Sequence, residues 1–367
     1  MTAGVSSNIQ ASGTGFNADV LLALPPSARA GYDGPKILMI SRTDYPITSI
    51  GAPLAERLPQ IGRWGTVFAV FRRSCYLENV DGQVFCLSDA QLGEGALTLG
   101  VEFPETTTVS SLGISEGCHL EKDGVDLRLG RATVLRTTEA SVWEPEPLGE
   151  SAPPEEILRR LDVLTHLLRP LMPSAGIGPI VPHIDALANG ESPSIDSANP
   201  AVSLAVPCVS RLCDGLIRLD QESVDQAVTG LVGLGPGLTP SGDDLMGGML
   251  VALQVMSDAV SQPSVDLFAE CVTKHAAVKT TRISAAMLEQ SAKGNGSAAH
   301  HRLLPCLLGV DTQQDTTAAA LDLIRIGHTS GWDALAGILL GIRLGLRMNQ
   351  APGVTGSTIQ ETVGVPA

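Results

Sequence analysis

The feature that most constrains this chain is a pair of related segments in its C-terminal half. The first reads Leu231-Val-Gly-Leu-Gly-Pro-Gly-Leu-Thr-Pro-Ser-Gly-Asp-Asp-Leu-Met-Gly-Gly248, and the second reads Gly327-His-Thr-Ser-Gly-Trp-Asp-Ala-Leu-Ala-Gly337. Both contain Ser-Gly-x-Asp-x-x-x-Gly, and both join a loop to an apolar run. The pattern predicts two helix starts behind unusual loops, with a site built between the two helix N-termini.

In both segments a serine precedes an aspartate by three positions, which is the spacing of a helix capping box. On this interpretation Ser241 acts with Asp244, and Ser330 acts with Asp333. Each serine then satisfies a backbone N–H group at its own helix end and stabilises it by about 1 kcal/mol. Capping requires no further function, so it competes with ligand binding as the role of these side chains.

Capping does not explain the loop in front of the first helix. Its glycines leave backbone N–H groups accessible, because no Cβ shields them. Such groups bind phosphate or carboxylate together with the dipole of the helix that follows. The lysine of a P-loop is missing, so a P-loop is excluded. The predicted contacts of the anion are Gly235, Gly237, Thr239, Ser241, Gly242, Ser330 and Asp333.

The adjacent acids Asp243 and Asp244 would repel a bound anion. The conflict disappears if the pair holds Mg²⁺, or if it accepts hydrogen bonds from an amide NH₂ of the substrate. Magnesium is therefore a possible cofactor, although the pattern makes none certain. The competing interpretation of Asp243 is a solvated acid in the first helical turn.

Three other side chains are candidates for chemistry near these helix starts. His328 stands just ahead of Ser330 and is a candidate general acid or base, or else an ordinary loop residue. Arg282, in Lys279-Thr-Thr-Arg-Ile-Ser284, can clamp a carboxylate or phosphate, or else forms a surface salt bridge. Arg72, at the end of an apolar run, either adds positive charge to a shared cleft or lies at a solvated strand edge.

The rest of the chain predicts an α+β protein. Residues 36–143 contain short β-rich runs separated by turn residues, which is typical of strands, with Asp81-Gly82 and Asp123-Gly124 as hairpin turns. Residues 144–156 are rich in proline and acids and read as a linker, after which apolar residues recur at helical spacing. We predict a β-rich domain over 1–148 (a small barrel or sandwich), an α-helical domain over 149–350 and a flexible tail over 351–367. The helices over 242–258 and 331–348 should be buried, Gly-rich and central, and a single helix should span 264–291.

The net charge limits the kinds of partner that the chain can bind, and the cysteine content indicates its compartment. The chain has 24 basic and 39 acidic residues, a formal net charge of −15, which argues against nucleic acid or an anionic membrane as partner. A local site can still bind a small anion against this overall charge. Seven scattered cysteines without a Cys-x-x-Cys pair, and no visible secretory signal, lead us to expect a cytoplasmic protein.

Three segments, 233–244, 280–284 and 327–333, together resemble a bacterial family associated with the AllH subunit of oxamate carbamoyltransferase. The resemblance extends over roughly residues 220–345, and Phe71-Arg-Arg-Ser-Cys75 is similar to the family's basic segment. It implies a role in anaerobic allantoin breakdown, in which oxalurate and phosphate give oxamate and carbamoyl phosphate. It also implies partner subunits, one of which resembles acyl-CoA synthetases.

The resemblance suggests roles for the candidate residues. The loop 233–242 would hold an anion, Arg282 would bind a carboxylate or phosphate, and His328 would deliver a proton to the leaving nitrogen. Asp243 or Asp244 would orient the carbamoyl NH₂. Two other functions remain open: a non-catalytic subunit that binds a ligand or scaffolds its partners, and an Mg²⁺-dependent phosphotransfer enzyme that uses both aspartates.

Overall fold

A computed structural model describes residues 43–57, 61–257, 260–310 and 315–350. The flexible tail expected over 351–367 lies outside these residues, as does the beginning of the β-rich domain predicted over 1–148. Within the described residues the strands lie between 43 and 143, and the helices of nine or more residues begin at 154. Strands and helices belong to one compact unit. The domain boundary after residue 148 stays a prediction.

The strands of the N-terminal half form a closed barrel. Strand β1 pairs antiparallel with β5 on one side and parallel with β8 on the other, which closes the ring of eight strands, and β9 is an additional strand beside β1. The expectation of a small barrel is confirmed. The strands are β1 (Thr43–Gly51), β2 (Gly62–Val70), β3 (Ser74–Glu78), β4 (Val84–Asp89), β5 (Thr98–Val101), β6 (His119–Asp123), β7 (Asp126–Leu129), β8 (Thr133–Arg136) and β9 (Ser141–Trp143).

Both predicted hairpins are present. Strands β3 and β4 pair from Glu78 and Val84 outward, and Gly82 in their loop has φ of 78°. Strands β6 and β7 meet at a turn where Gly124 has φ of 68°. These positive φ values are the reason that glycine follows an aspartate at both turns.

The C-terminal half is helical, and the three- and four-residue spacing of apolar residues predicted most of its helices. The segment 182–199 is an exception, because five of its residues form a helix that is too short to show helical spacing of apolar residues. The helices are α1 (Ala52–Ala55), α2 (Pro154–Leu168), α3 (Ile184–Ala188), α4 (Pro200–Arg218), α5 (Gln221–Leu231), α6 (Ser241–Val255), α7 (Gln262–Lys279), α8 (Arg282–Ser291), α9 (Ala298–Leu308), α10 (Thr316–Ile324) and α11 (Ser330–Gln350).

The single helix predicted over 264–291 is also wrong, because the chain breaks at Thr280 and Thr281. Thr280 is extended, with φ of −124° and ψ of −175°. The hydroxyl of Thr281 then accepts a hydrogen bond from the backbone N–H of Ser284 at 3.0 Å and caps α8. Arg282 therefore stands at the start of α8 and not inside a helix.

Helices α6 and α11 are buried and pack backbone to backbone. A Cβ added to Gly248 would lie 2.2 Å from the carbonyl oxygen of Ala334, and one added to Gly337 would lie 2.0 Å from that of Leu245. Ala334 and Leu245 hold the same position in the two Ser-Gly-x-Asp segments, so the contacts are reciprocal. At the far end Gly345 packs on Met256, and the helices therefore run in the same direction. The predicted central pair of Gly-rich helices is confirmed.

Helix α4 is long and apolar enough to cross a membrane by length and composition, with a mean hydropathy of 1.3. Half of the relevant window is buried inside the molecule, where α4 packs against α5. Core helices of globular proteins have the same property, so this finding is weak evidence for a membrane span.

Candidate functional site

The two Ser-Gly-x-Asp segments meet at their helix starts. The side-chain oxygens of Thr239, which precedes α6, and of Ser330, which begins α11, are 2.9 Å apart. The two helices are parallel and adjacent, so the positive ends of both helix dipoles point to one place. The expected meeting of the two N-termini is confirmed.

The predicted capping boxes are wrong. Helix α6 begins at Ser241 itself, behind Pro240, and has no side-chain cap. Each serine instead lies close to the carboxyl of the other helix. Burial raises the pKa of Asp333 and of Asp244, and Ser241 opposes this effect at Asp333 as Ser330 does at Asp244. This arrangement needs both helices together, which is why spacing within one segment did not predict it.

Asp244 is the most strongly perturbed acid of the site. Burial raises its pKa well above the ordinary value, and the charges of Asp333 and Asp243 add to this effect, while Ser330 and Thr239 oppose it. Its Oδ2 is out of contact with solvent and takes no hydrogen bond from any described residue. A carboxyl oxygen in this state is open to a donor from a ligand.

Asp243 has a different environment. It is buried, its Oδ1 accepts from the backbone N–H of Gly233 at 2.8 Å, and its Oδ2 accepts from the hydroxyls of Thr280 and Ser284, the latter at 2.7 Å. The solvated first-turn acid is therefore wrong, because three protein donors saturate this carboxylate. Asp243 ties the glycine loop to the start of α8. It does not fit a metal ligand, and the described residues contain no group of three or more His, Cys, Asp or Glu side chains that could hold a metal ion.

The glycine loop leaves its backbone donors free. Gly235 and Gly237 have φ of 111° and 105°, values that L side chains rarely adopt. Within the described part of the chain, the N–H groups of Gly235, Gly237, Leu238 and Thr239 form no hydrogen bond. Gly242 has another role, because a Cβ there would lie 2.1 Å from the carbonyl oxygen of Leu231.

The second loop resembles the first. Among the contacts of the described residues there is no hydrogen bond from the N–H groups of Gly327, His328 and Thr329. Gly331 meets the carbonyl oxygen of Leu323 as Gly242 meets that of Leu231, so both helix starts pack on the end of the preceding helix. The His328 side chain is exposed, with no hydrogen bond to the described chain. It stands at the second loop, where the sequence predicted it.

Arg282 and Arg72 form no hydrogen bond or ion pair with the two loops among the described residues, although Thr281, next to Arg282, donates its hydroxyl to the carbonyl oxygen of Leu238. Arg282 is 59% exposed, forms an ion pair with Glu78 of the barrel at 2.6 Å and lies 4.3 Å from the centre of the Phe68 ring. Arg72 is exposed in the turn between β2 and β3 and forms no ion pair with either motif in the residues described. For Arg282 the salt-bridge interpretation is confirmed, and the role of either arginine in anion binding stays a prediction.

The barrel supplies one wall of the site, which the sequence reasoning missed. The ion pair between Arg282 and Glu78 places β3 against the start of α8. On the same strand, burial and then Cys86 raise the pKa of the Tyr76 phenol, and the charge of Asp244 adds a smaller effect. Phe68 and Phe71 pack around Tyr76, with ring centres 6.5 and 5.9 Å away. The signal was present: aromatics make up 3% of the chain, and three of them cluster in ten residues.

A cleft lies beside the start of α8. It has a volume of about 690 Å³ and is bounded by the β3–β4 hairpin and by α7 and α8. Thr280 and Arg282 line it, whereas the glycine loop and the second loop do not. The free N–H groups are therefore on an open surface next to the cleft.

Fold and site define an α+β protein in which a β-barrel faces a helical region with two converging, glycine-preceded helix N-termini. Residues 231–342 match the family described as oxamate carbamoyltransferase subunit AllH. The chain is therefore AllH-like over the part that carries both motifs and α8. No solved structure matches it. The family name describes a subunit of an enzyme, which implies partner subunits for the members of that family.

Proposed function

We propose that this chain is a substrate-binding subunit of a carbamoyltransferase complex that converts oxalurate and phosphate into oxamate and carbamoyl phosphate. The observation that carries the proposal is the meeting of two helix starts with seven unpaired loop N–H groups in front of them. Oxalurate, oxamate and phosphate are small anions, which such N–H groups and helix dipoles bind.

Asp244 gives the site its second kind of contact. Its unpartnered oxygen can accept a hydrogen bond from an amide NH₂, which both oxalurate and oxamate carry. Asp243 does not compete for this role, because protein donors occupy both of its oxygens. Of the two aspartates that the sequence left as alternatives, Asp244 therefore orients the carbamoyl group. The same saturation argues against Mg²⁺-dependent phosphotransfer through the pair.

The reaction requires little covalent chemistry from the protein. A phosphate oxygen forms a bond to the carbamoyl carbon while the bond from that carbon to the oxamate nitrogen breaks. The nitrogen takes up one proton, and the attacking phosphate gives up one, so no net proton is consumed. His328 is exposed beside the free N–H groups of the second loop and relays this proton.

The test is phosphate-dependent cleavage of oxalurate by the chain alone and by the chain with its partner subunits. We expect turnover by the assembled complex, and a loss of about a hundredfold in kcat for His328→Ala. Gly237→Ala should lower kcat/KM about tenfold, because a Cβ shields the loop N–H groups and strains a φ of 105°.

Gly117→Ala is the matched control. Gly117 has φ of 84° in a barrel turn with open space around its Cα, so the substitution introduces similar backbone strain away from the site. Full activity of the complex with Gly237→Ala and His328→Ala would identify the chain as a scaffold. A complex that does not cleave oxalurate at all would overturn the proposal.

A further inference from the structure

The two Ser–Asp pairs are equivalent in sequence and different in their surroundings. Ser241 is 3% exposed and Asp333 is 0% exposed. The loop 176–178 closes over them: Ile177 donates its backbone N–H to Oδ1 of Asp333 at 2.6 Å, and a Cβ on Gly176 would lie 2.6 Å from the same oxygen. This pair is sealed inside the molecule.

The other pair is open. Ser330, Asp244 and Thr239 are each partly exposed, and the side-chain oxygens of Thr239 and Ser330 are 2.9 Å apart. The long glycine loop, with its free N–H groups, leads directly to Thr239. An independent sign of a missing contact is the Oδ2 of Asp244, which is shielded from water and bonded to no described group.

We propose that the two motifs have divided two roles: the Ser330–Asp244 pair contacts the substrate, and the Ser241–Asp333 pair holds the fold. The class of ligand, a small anion that also carries an amide, rests on the function proposed above. In this arrangement the Ser330 hydroxyl donates to an oxygen of the ligand, and Asp244 accepts from the amide NH₂. Thr239 keeps the Ser330 side chain in place.

The physical reason for the division is that the two pairs differ in their access to solvent and ligands. Oδ2 of Asp333 and Oδ2 of Asp244 are both buried without a hydrogen-bond partner among the described residues. Asp333 is 0% exposed and lies beneath the loop 176–178, whose Ile177 donates its backbone N–H to Oδ1, so a ligand does not reach it. Asp244, Ser330 and Thr239 are partly exposed, so this pair can be reached from outside.

The experiment compares the pairs in the complex of the full chain with its partner subunits. Calorimetry measures binding of oxamate and of inorganic phosphate, and thermal unfolding measures stability. The variants are Ser330→Ala, Asp244→Asn, Ser241→Ala and Asp333→Asn. Ser264→Ala is the control, because Ser264 is a buried serine of α7 that donates to the carbonyl oxygen of Leu216.

We expect Ser330→Ala and Asp244→Asn to weaken oxamate binding about tenfold while the unfolding temperature stays near that of the wild type. Ser241→Ala and Asp333→Asn should lower the unfolding temperature by several degrees, with the larger change for Asp333→Asn. Ser264→Ala should bind oxamate as the wild type does. Ser330→Thr, which keeps a hydroxyl, should bind more tightly than Ser330→Ala.

Two results would overturn the division of roles. One is unchanged oxamate binding in Ser330→Ala and Asp244→Asn when the wild type binds, in which case the proposed function survives without it. The other is an equal loss of stability in the Ser330→Ala and Ser241→Ala variants. A wild-type complex that binds neither oxamate nor phosphate would overturn the proposed function itself, and with it the substrate-contacting half of the division.

Discussion

Substituting Gly337 with alanine tests the central packing of the molecule. The new Cβ would lie 2.0 Å from the carbonyl oxygen of Leu245 and 2.9 Å from the backbone nitrogen of Met249. An ordinary contact begins near 3.4 Å, so the two helices must separate by about 1.4 Å at this point. No side-chain movement relieves the clash, because both neighbours are backbone atoms.

The magnitude follows from two opposing effects. Overpacking of a rigid core contact costs about 3 kcal/mol of unfolding free energy, and alanine regains about 1 kcal/mol through its better helix propensity. The net loss for Gly337→Ala is therefore about 2 kcal/mol or more. Gly345→Ala on the same helix is the matched control, because its Cβ would meet the flexible end of Met256 at 3.1 Å. We expect that variant to be neutral or to gain about 1 kcal/mol.

The assay is equilibrium unfolding in urea followed by far-UV circular dichroism, with both variants and the wild type measured side by side. The difference between the two alanine variants is the decisive quantity, since it removes the common gain in helix propensity. A Gly337→Ala protein as stable as the Gly345→Ala protein would refute the close approach of α6 and α11.

Three further predictions concern single side chains. Asp243→Ala should lose about 3 kcal/mol of unfolding free energy in urea titrations, because the donors of Gly233 and two hydroxyls are left buried without a partner; a loss below about 1 kcal/mol would contradict this. His300 has a pKa lowered to about 4, chiefly by burial. As the pH falls, the unfolded chain therefore binds a proton at His300 at a higher pH than the folded chain does. The contribution of His300 to stability is complete above about pH 6.5 and is lost as the pH falls toward 4, and thermal unfolding between pH 4 and 7 should show a weaker pH dependence in His300→Gln. Arg282→Ala should change the unfolding free energy by less than about 1 kcal/mol, since its ion pair with Glu78 is largely exposed, and a larger change would show that this contact holds the barrel to the helices.

The spacing of apolar residues predicted the helices that are determined by their own sequence. Ile157, Leu161, Leu164 and Leu168 recur at three- and four-residue spacing, and all four are buried on α2. The break between α7 and α8 was not predictable in this way. The hydroxyls of Thr280 and Ser284 donate to Asp243, which lies 37 and 41 positions away in the chain. The spacing of apolar residues along the sequence does not indicate a partner so far away.

The candidate site shows the same limit. Sequence indicated the glycine loop, His328 and the two helix starts, because loops before helices have a local signature. It gave no reason to join them to β3, which meets the start of α8 only because the barrel lies against the helical region. It also left Asp243 and Asp244 as equivalent acids, and only their neighbours separate a saturated carboxylate from an open one.

The sequence by itself determined that the chain contains two Ser-Gly-x-Asp helix starts with glycines suited to close helix packing. Tertiary structure decided which aspartate each serine lies close to. A serine followed three positions later by an acid favours capping within one helix, and that choice holds only while no better acceptor is near. Once α6 and α11 pack through Gly248 and Gly337, the carboxyl of the neighbouring helix comes within reach. The hydroxyls of Thr239 and Ser330 then meet between the two helix starts, which makes two separate helix ends into one site.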